Sequence, residues 1–277
     1  MTTFDAFTDQ ACFAFPPSVA HALSTVHTAL GDVMLVGSWA RDVCLVLGAG
    51  VEPGRGTDDL DVAVAVAVAS LRELDRRLGE LGPRRGHGVR IRVAGQPVDV
   101  LPFGDIAPEG VVRPASDDEL DVTGMAEAWL HRDMVQVSPT HAIAVASRES
   151  MLLLKLIAWD VRTPGTEKDA LDLDRLLDAA SHGRYGDATF EHESSMARCE
   201  YEVERAGVYR CGLVLRERLR PATATRLAQV MTDARLIRLA ALMPPLRANE
   251  RLDQLELLRE ALALDGGSVG PDVPEPV

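Results

Sequence analysis

The 277-residue chain has no apolar run long enough to cross a membrane. Its longest apolar stretch, residues 62–69, has the length of a strand, whereas a membrane span needs roughly 18 apolar residues. The first ten residues, MTTFDAFTDQ, are acidic and lack the basic segment of a secretory signal. We therefore expect a cytoplasmic protein with no membrane partner.

Cysteine is also sparse, and no two cysteines form a Cys-x-x-Cys pair. The four residues are Cys12, Cys44, Cys199 and Cys211. This scattered pattern favours reduced thiols and argues against a disulfide framework or a zinc site.

Positive charge is scarce, and lysine is almost absent. The formal net charge is -13, and of 29 basic residues only Lys155 and Lys168 are lysine. The acidic balance argues against a general nucleic-acid binder. Seven arginines nevertheless crowd residues 72–92, which indicates either a local phosphate-binding surface or a solvated helix and hairpin. The two lysines point to a need for a compact ammonium group, although chance explains them as well.

Hydrophobic periodicity predicts an α+β fold, in which a mixed β-sheet flanked by helices is followed by helices alone. Strands are predicted at residues 32–38, from residue 59 onward, and in a hairpin that turns at Gly95–Gln96. The predicted units are an α/β domain over residues 1–140, a helical domain over 141–264 and a disordered tail over 265–277. A connector is expected near residues 106–140, and helix breaks are expected at Gly207, Pro221 and Pro244–Pro245.

The segment RGTDDLDVAVAVAVAS, residues 55–70, begins a buried-looking strand with two carboxylates. Side chains alternate along a strand, so Asp59 and Asp61 share one face at a separation of roughly 7 Å. Two such carboxylates repel each other and resist burial unless a positive group lies between them. The pair therefore indicates a cation site.

Two further features are expected near this pair. Gly37–Ser38 lies between a predicted strand and a helix, where free backbone N–H groups and a hydroxyl suit a phosphate. Asp99 is an isolated carboxylate between Val98 and Val100 of the hairpin's second strand. If that strand lies beside the first, three carboxylates meet and offer the oxygen ligands that Mg²⁺ prefers. Two such ions could bind a triphosphate and activate an attacking hydroxyl. The alternative is a set of surface acids with no joint role.

Three motifs resemble the AbiEii/AbiGii-type nucleotidyltransferases of the polymerase-β-like superfamily. They are the R-x-T-x-D-L-D string that begins at Arg55, the VDVLPFG string around Asp99, and the string LLKLIAWDVRTPGTEKDALDLDRLL. The family includes toxins of bacterial type IV toxin–antitoxin and phage-defence systems, such as the MenT group. The resemblance extends over residues from about 33 to 180 and implies a nucleotidyltransferase palm.

The resemblance implies roles for individual residues. Asp59, Asp61 and Asp99 would hold Mg²⁺, Lys155 would reach the triphosphate, and Asp169 or Asp172 would complete the catalytic site. The residues expected to bind the nucleotide are Gly37, Ser38, Arg41, Arg55, Thr57 and Arg162. Salt-bridge roles are equally open for the three arginines. We expect Lys155→Ala to weaken nucleotide use and to leave the fold intact, since truncating a surface-helix lysine changes stability by no more than about 0.5 kcal/mol.

Three functions follow from this interpretation. The first is a toxin that moves an NMP from an NTP to an RNA, such as a tRNA 3′ end, or to a protein hydroxyl, with a possible cognate antitoxin. The second is modification of a small molecule, because GSWARD is also similar to the GGWAxD motif of lincosamide and aminoglycoside nucleotidyltransferases, and an acidic surface attracts a cationic drug. The third is a non-catalytic binding protein that retains the fold, against which the complete set of acids argues.

Overall fold

The computed structural model describes residues 1–5, 14–67, 71–82, 90–107, 110–113, 119–162 and 166–263. These residues form an α+β fold with a mixed β-sheet flanked by helices, which confirms the predicted fold class. The strands are β1 (Thr3–Asp5), β2 (Val33–Leu35), β3 (Leu60–Ala65), β4 (Arg90–Val93), β5 (Gln96–Phe103), β6 (Val111–Val112), β7 (Leu120–Asp121), β8 (Asp133–Ser138) and β9 (His141–Val145).

Seven of these strands form the main sheet, in the order β1-β8-β9-β2-β3-β5-β4, and β6 and β7 form a separate ribbon. Strand β3 is antiparallel to β2 and parallel to β5, while β4 is antiparallel to β5 at the edge. Strand β3 is buried on both faces at its centre, where Val62, Ala63 and Val64 are all buried. The sheet therefore places the strand that carries Asp61 directly beside the strand that carries Asp99.

Helices precede, interrupt and follow the sheet. They are α1 (Pro17–Leu30), α2 (Gly37–Asp42) with its π-helical continuation (Val43–Ala49), α3 (Leu71–Leu81), α4 (Met125–Leu130), α5 (Arg148–Arg162), α6 (Lys168–Asp178), α7 (Gly183–Phe190), α8 (Glu193–Arg198), α9 (Val203–Arg216), α10 (Pro221–Val230), α11 (Asp233–Ala241) and α12 (Ala248–Ala261). One hydrophobic core runs from the sheet into the later helices and includes Val62, Leu156 and Leu258.

Strands β8 and β9 lie in the main sheet, where the sequence suggests a connector up to about residue 140. Strand β8 buries Val135 and Val137 on alternate positions, and β9 pairs with both β8 and β2. The two strands form a hairpin with each other, but β1 and β2, which join this hairpin to the sheet, are distant in sequence, so its place in the sheet is not visible from local periodicity. The helices after the sheet begin at Arg148.

The predicted helix breaks have different outcomes. Pro221 is the first residue of α10, where its missing N–H has no helical partner to lose, and Pro244–Pro245 separates α11 from α12. Gly207, by contrast, lies inside α9, so the predicted break there is wrong. A Cβ at Gly207 would lie 2.5 Å from the carbonyl oxygen of Ala180, so this glycine permits close packing instead of ending the helix.

Among the described residues, no helix has the length and apolar character needed to cross a membrane. Cys44, Cys199 and Cys211 are buried and not in disulfides. Cys12 and the predicted tail 265–277 lie outside the described residues.

Candidate active site

Strand pairing places Asp61 and Asp99 side by side. The parallel register of β3 and β5 aligns Asp61 with Asp99, and Asp59 precedes Asp61 by two positions on the same face. Burial, followed by the charges of Asp59 and Asp99, raises the pKa of Asp61 to about 6. We refer to these three carboxylates as the acid platform.

Gly37 brings the start of α2 against the acid platform. Its φ of +66° lies in the left-handed region, and a Cβ there would lie only 2.0 Å from Oδ2 of Asp61. The backbone N–H of Val36 donates a hydrogen bond to the carbonyl oxygen of Asp61, 3.0 Å away. Glycine is thus required at position 37 both for its conformation and for its contact with the carboxylate.

Asp59 and Asp99 are joined by one arginine, Arg90 of β4. Its Nε and Nη2 donate to the two oxygens of Asp99 over 2.6 and 2.5 Å, and Nη2 also donates to Oδ2 of Asp59 over 3.1 Å. Burial raises the pKa of Asp59, but hydrogen bonds from the Thr57 hydroxyl and its own backbone amide, together with the charge of Arg90, outweigh burial and lower that pKa. A cation therefore already lies on two of the three carboxylates.

The chemistry of the acid platform fits a divalent cation. Carboxylate oxygens are the ligands that Mg²⁺ prefers, and three of them share one face of the sheet. Within the described part of the chain, no three His, Cys, Asp or Glu side chains are placed to hold an ion as they now lie. The guanidinium of Arg90 contacts both Asp59 and Asp99, so the two carboxylates point to this group.

A second charged cluster lies between α5 and α6, and we call it the lysine cluster. Its members are Lys155, Asp169 and Asp172. Nζ of Lys155 lies 2.9 Å from Oδ1 of Asp169 and 2.6 Å from Oδ2 of Asp172. Burial raises the pKa of Asp172, but the charges of Lys155 and Arg41 outweigh burial, so that this pKa is lowered. Lys155 is only 6% exposed, which overturns its interpretation as a surface-helix lysine.

Arg41 holds the lysine cluster from inside the protein. Its side chain is fully buried and pairs with Asp42 and Asp172. It also donates to the carbonyl oxygen of Arg55 over 2.7 Å, and a Cβ at Gly54 would lie 2.4 Å from its guanidinium. Because protein groups already occupy this guanidinium, Arg41 positions Asp172 and the loop around Gly54 and does not present a free surface to a nucleotide.

The remaining predicted residues connect the two clusters. Nη2 of Arg55 lies 3.5 Å from both the hydroxyl of Ser38 and Oδ2 of Asp172. Arg162 reaches Asp169 over 3.3 Å and keeps a 61% exposed side chain. Gly37, which lies against Asp61 of the acid platform, is followed by Ser38, and Arg55 links Ser38 to Asp172 of the lysine cluster. The structure thus brings the predicted site residues into one region.

The arginine-rich segment is less available for phosphates than its composition suggests. In α3, Arg76 pairs with Glu73 and Glu80, and Arg77 pairs with Glu73. Three acids and three arginines balance within this helix. Arg84 and Arg85 lie outside the described residues.

The sequence analysis did not assign Arg90 or Asp42 to the site. Both central residues of the hairpin turn, Ala94 and Gly95, have positive φ, which is the conformation of a two-residue type I′ turn. This turn aligns Arg90 with Asp99, whereas a turn at Gly95–Gln96 would align Arg92 with it. Asp42 has no comparable signal, since it lies within a helical pattern.

No protein-family model matches the chain, and the search of curated proteins gives no significant match. The resemblance to AbiEii/AbiGii-type nucleotidyltransferases therefore depends on the sequence motifs alone.

Proposed function

We propose that the protein is a Mg²⁺-dependent nucleotidyltransferase that moves an NMP from an NTP to a hydroxyl of an acceptor. One observation carries this proposal. Asp61 and Asp99 are paired on adjacent parallel strands, Asp59 shares their face, and Gly37 at the start of α2 contacts Asp61. Carboxylates held together at such a cost in repulsion are typical of a site for a hard cation.

In the proposed reaction, the acceptor oxygen attacks the α-phosphorus of the NTP, the bond to the β-phosphate oxygen breaks, and pyrophosphate leaves. The hydroxyl proton passes to a carboxylate of the acid platform or to solvent. Bound Mg²⁺ would supply charge neutralisation for the phosphates, and Asp59, Asp61 and Asp99 would hold it. Arg55, whose side chain is 32% exposed, would supply positive charge to the phosphates, while Lys155 and Arg41 keep Asp172 in place.

For the acceptor, we propose an RNA such as a tRNA 3′ end, which would make the protein a toxin with a possible antitoxin partner. The motif resemblance suggests this class. Positive groups also lie at the two clusters, because Arg90 bonds Asp59 and Asp99 and the exposed Arg162 pairs with Asp169. Such groups suit a polyanionic acceptor as well as the triphosphate.

A small cationic acceptor is the second candidate. Two observations favour it: the arginines of α3 described above are neutralised by their own helix, and the net charge is -13. An acidic protein attracts cationic molecules such as aminoglycosides and repels nucleic acid beyond its local positive patches.

The test is transfer of label from each α-³²P-labelled NTP, first to total tRNA and then to aminoglycosides and lincosamides. We expect labelled tRNA with the native protein and none with Asp59→Asn/Asp61→Asn. Asp187→Asn, an exposed acid on α7, is the matched control and should retain activity. Labelled drug with unlabelled tRNA would replace the first acceptor with the second, and label on neither would contradict both.

A further inference from the structure

We propose that Arg90 is an internal counter-cation of the acid platform, which a divalent cation must displace in order to bind. This inference rests on the proposed function, because it concerns the same carboxylates. Arg90, which lies on the edge strand, would thus set the affinity of the site for the metal ion before the nucleotide binds.

The hydrogen-bond pattern is the first support. Arg90 makes a bidentate contact with Asp99, in which Nε and Nη2 donate to the two carboxylate oxygens at 2.6 and 2.5 Å. Its Nη2 atom also donates to Asp59 at 3.1 Å. Paired parallel N–H···O bonds are the strong geometry for an arginine and a carboxylate. The guanidinium thus neutralises two of the three members of the acid platform.

Occupation by Arg90 and by a metal ion is mutually exclusive. A divalent cation that used an oxygen of Asp59 and an oxygen of Asp99 would lie next to the guanidinium, and the two positive charges would repel each other. The Asp99 oxygen that binds the ion would also exchange the bond that it accepts from Arg90 for a bond to the ion. Metal binding must therefore break the Arg90 contacts.

The position of Arg90 allows this exchange without refolding. Strand β4 is the edge of the main sheet, and the Arg90 side chain is 46% exposed. A rotation of the side chain alone would carry the guanidinium into solvent, while the backbone pairing with β5 persists. The released charge would then be available to the phosphates of an NTP, so nucleotide and metal would support each other's binding.

The probe is Mn²⁺ alone. Electron paramagnetic resonance measures the concentration of free Mn²⁺ directly, so the experiment needs neither nucleotide nor catalytic turnover. The proteins compared are the native chain, Arg90→Gln, Arg90→Lys, Arg92→Gln and Asp59→Asn/Asp61→Asn. Arg92 is the matched control, since it lies two residues along the same strand and bonds the carbonyl oxygen of Gly95 instead of an acid. Circular dichroism checks that each variant is folded.

We expect Arg90→Gln to bind Mn²⁺ about tenfold more tightly than the native chain, because a competing unit charge is removed at contact distance. Arg90→Lys should give an intermediate affinity and provides the test if Arg90→Gln does not fold. Arg92→Gln should bind as the native chain does. Equal affinity in the native chain and both Arg90 variants would overturn the inference while leaving the proposed function in place. Mn²⁺ binding that survives in Asp59→Asn/Asp61→Asn, or that is absent from every protein, would instead overturn the metal site and the inference with it.

Discussion

Asp61 is an electrostatically costly residue in the absence of a cation. Burial of its carboxylate, followed by the charges of Asp59 and Asp99, raises its pKa to about 6. Because the folded protein binds a proton at Asp61 more tightly than the unfolded chain does, ionisation of this group opposes folding. The cost begins as the pH rises through the unfolded pKa of 3.8 and is complete above about pH 7.

We therefore expect Asp61→Asn to raise the free energy of unfolding at pH 7.5 in EDTA by at most about 3 kcal/mol, the value of a shift of this size. The gain should shrink at pH 5, where Asp61 is mostly protonated in the folded protein. Urea unfolding at the two pH values measures it, with Asp187→Asn as the exposed control. A gain that is absent, or that is equal at both pH values, would contradict the burial of an ionised Asp61.

Lys155 has the opposite effect, because it compensates charge within the lysine cluster. Its removal leaves Asp169 and Asp172 buried, each 1% exposed, with less positive charge beside them. We expect Lys155→Ala to lower the free energy of unfolding by about 3 kcal/mol, as for other broken buried ion pairs. Lys168 is the exposed first residue of α6, and Lys168→Ala should change the free energy of unfolding by no more than about 0.5 kcal/mol. Chemical denaturation of the two variants compares them, and equal stabilities would disprove this role.

The sequence predicted the carboxylates of the acid platform more reliably than their partners. Asp59, Asp61 and Asp99 stand out because acids rarely interrupt Val/Ala strands. The position of Arg90 opposite Asp99 depends on the register of the hairpin, and a shift of the turn by one residue changes that register. The burial of Lys155 depends on the packing of α5 against α6, and a helix pattern alone does not reveal that a polar residue finds acids across a helix interface.

At the scale of helices and strands, glycines have two distinct roles. Gly79 in α3 faces open space, whereas Gly207 in α9 lies against the backbone of Ala180. Glycine normally destabilises a helix interior relative to alanine by roughly 0.5–1 kcal/mol. The effect of replacing a helical glycine with alanine therefore depends on whether there is space for the added methyl group.

We predict opposite signs for the same substitution at these two positions. Gly79→Ala should raise the free energy of unfolding by about 0.5 kcal/mol or more, since nothing obstructs the methyl group. Gly207→Ala should lower it by about 1–3 kcal/mol, because the added carbon forces α9 away from Ala180. Thermal and urea unfolding of both variants measure these changes in the free energy of unfolding. A stabilising Gly207→Ala would mean that α9 does not pack as closely as described.

Secondary structure was predictable where a helix or strand is long enough to show its own periodic pattern of apolar residues. The strand around Val62, the amphipathic α3 and the α5–α6 pair follow directly from the pattern of apolar residues. Strands β1, β8 and β9 were not identified, because each has only a few residues and because β1 and β2, which pair with the β8–β9 hairpin, are distant from it in the sequence. The π-helical continuation of α2 also lacks a local signal in the sequence.

At the scale of the whole molecule, the sheet and the later helices share one hydrophobic core. A buried ion pair also crosses the predicted boundary at residue 140, because Arg41 of α2 is fully buried and pairs with Asp172 of α6. Helices on both sides of the predicted boundary at residue 140 therefore depend on common contacts.

We expect this shared core to unfold in a single transition. Differential scanning calorimetry should give one peak, and tryptophan fluorescence and far-ultraviolet circular dichroism should change together. Two resolved peaks would instead show that residues 1–140 and 141–264 unfold independently.

We propose that the acid platform binds a metal ion together with a nucleotide, and the thermal shift produced by each NTP with and without Mg²⁺ tests this binding. We predict that at least one NTP raises the melting temperature of the native chain only when Mg²⁺ is present, because a ligand that binds the folded state stabilises it in proportion to its occupancy. Asp187→Asn should show the same shift, and Asp59→Asn/Asp61→Asn should show none. Equal shifts in the native chain and in Asp59→Asn/Asp61→Asn, or no shift with any NTP, would contradict the account.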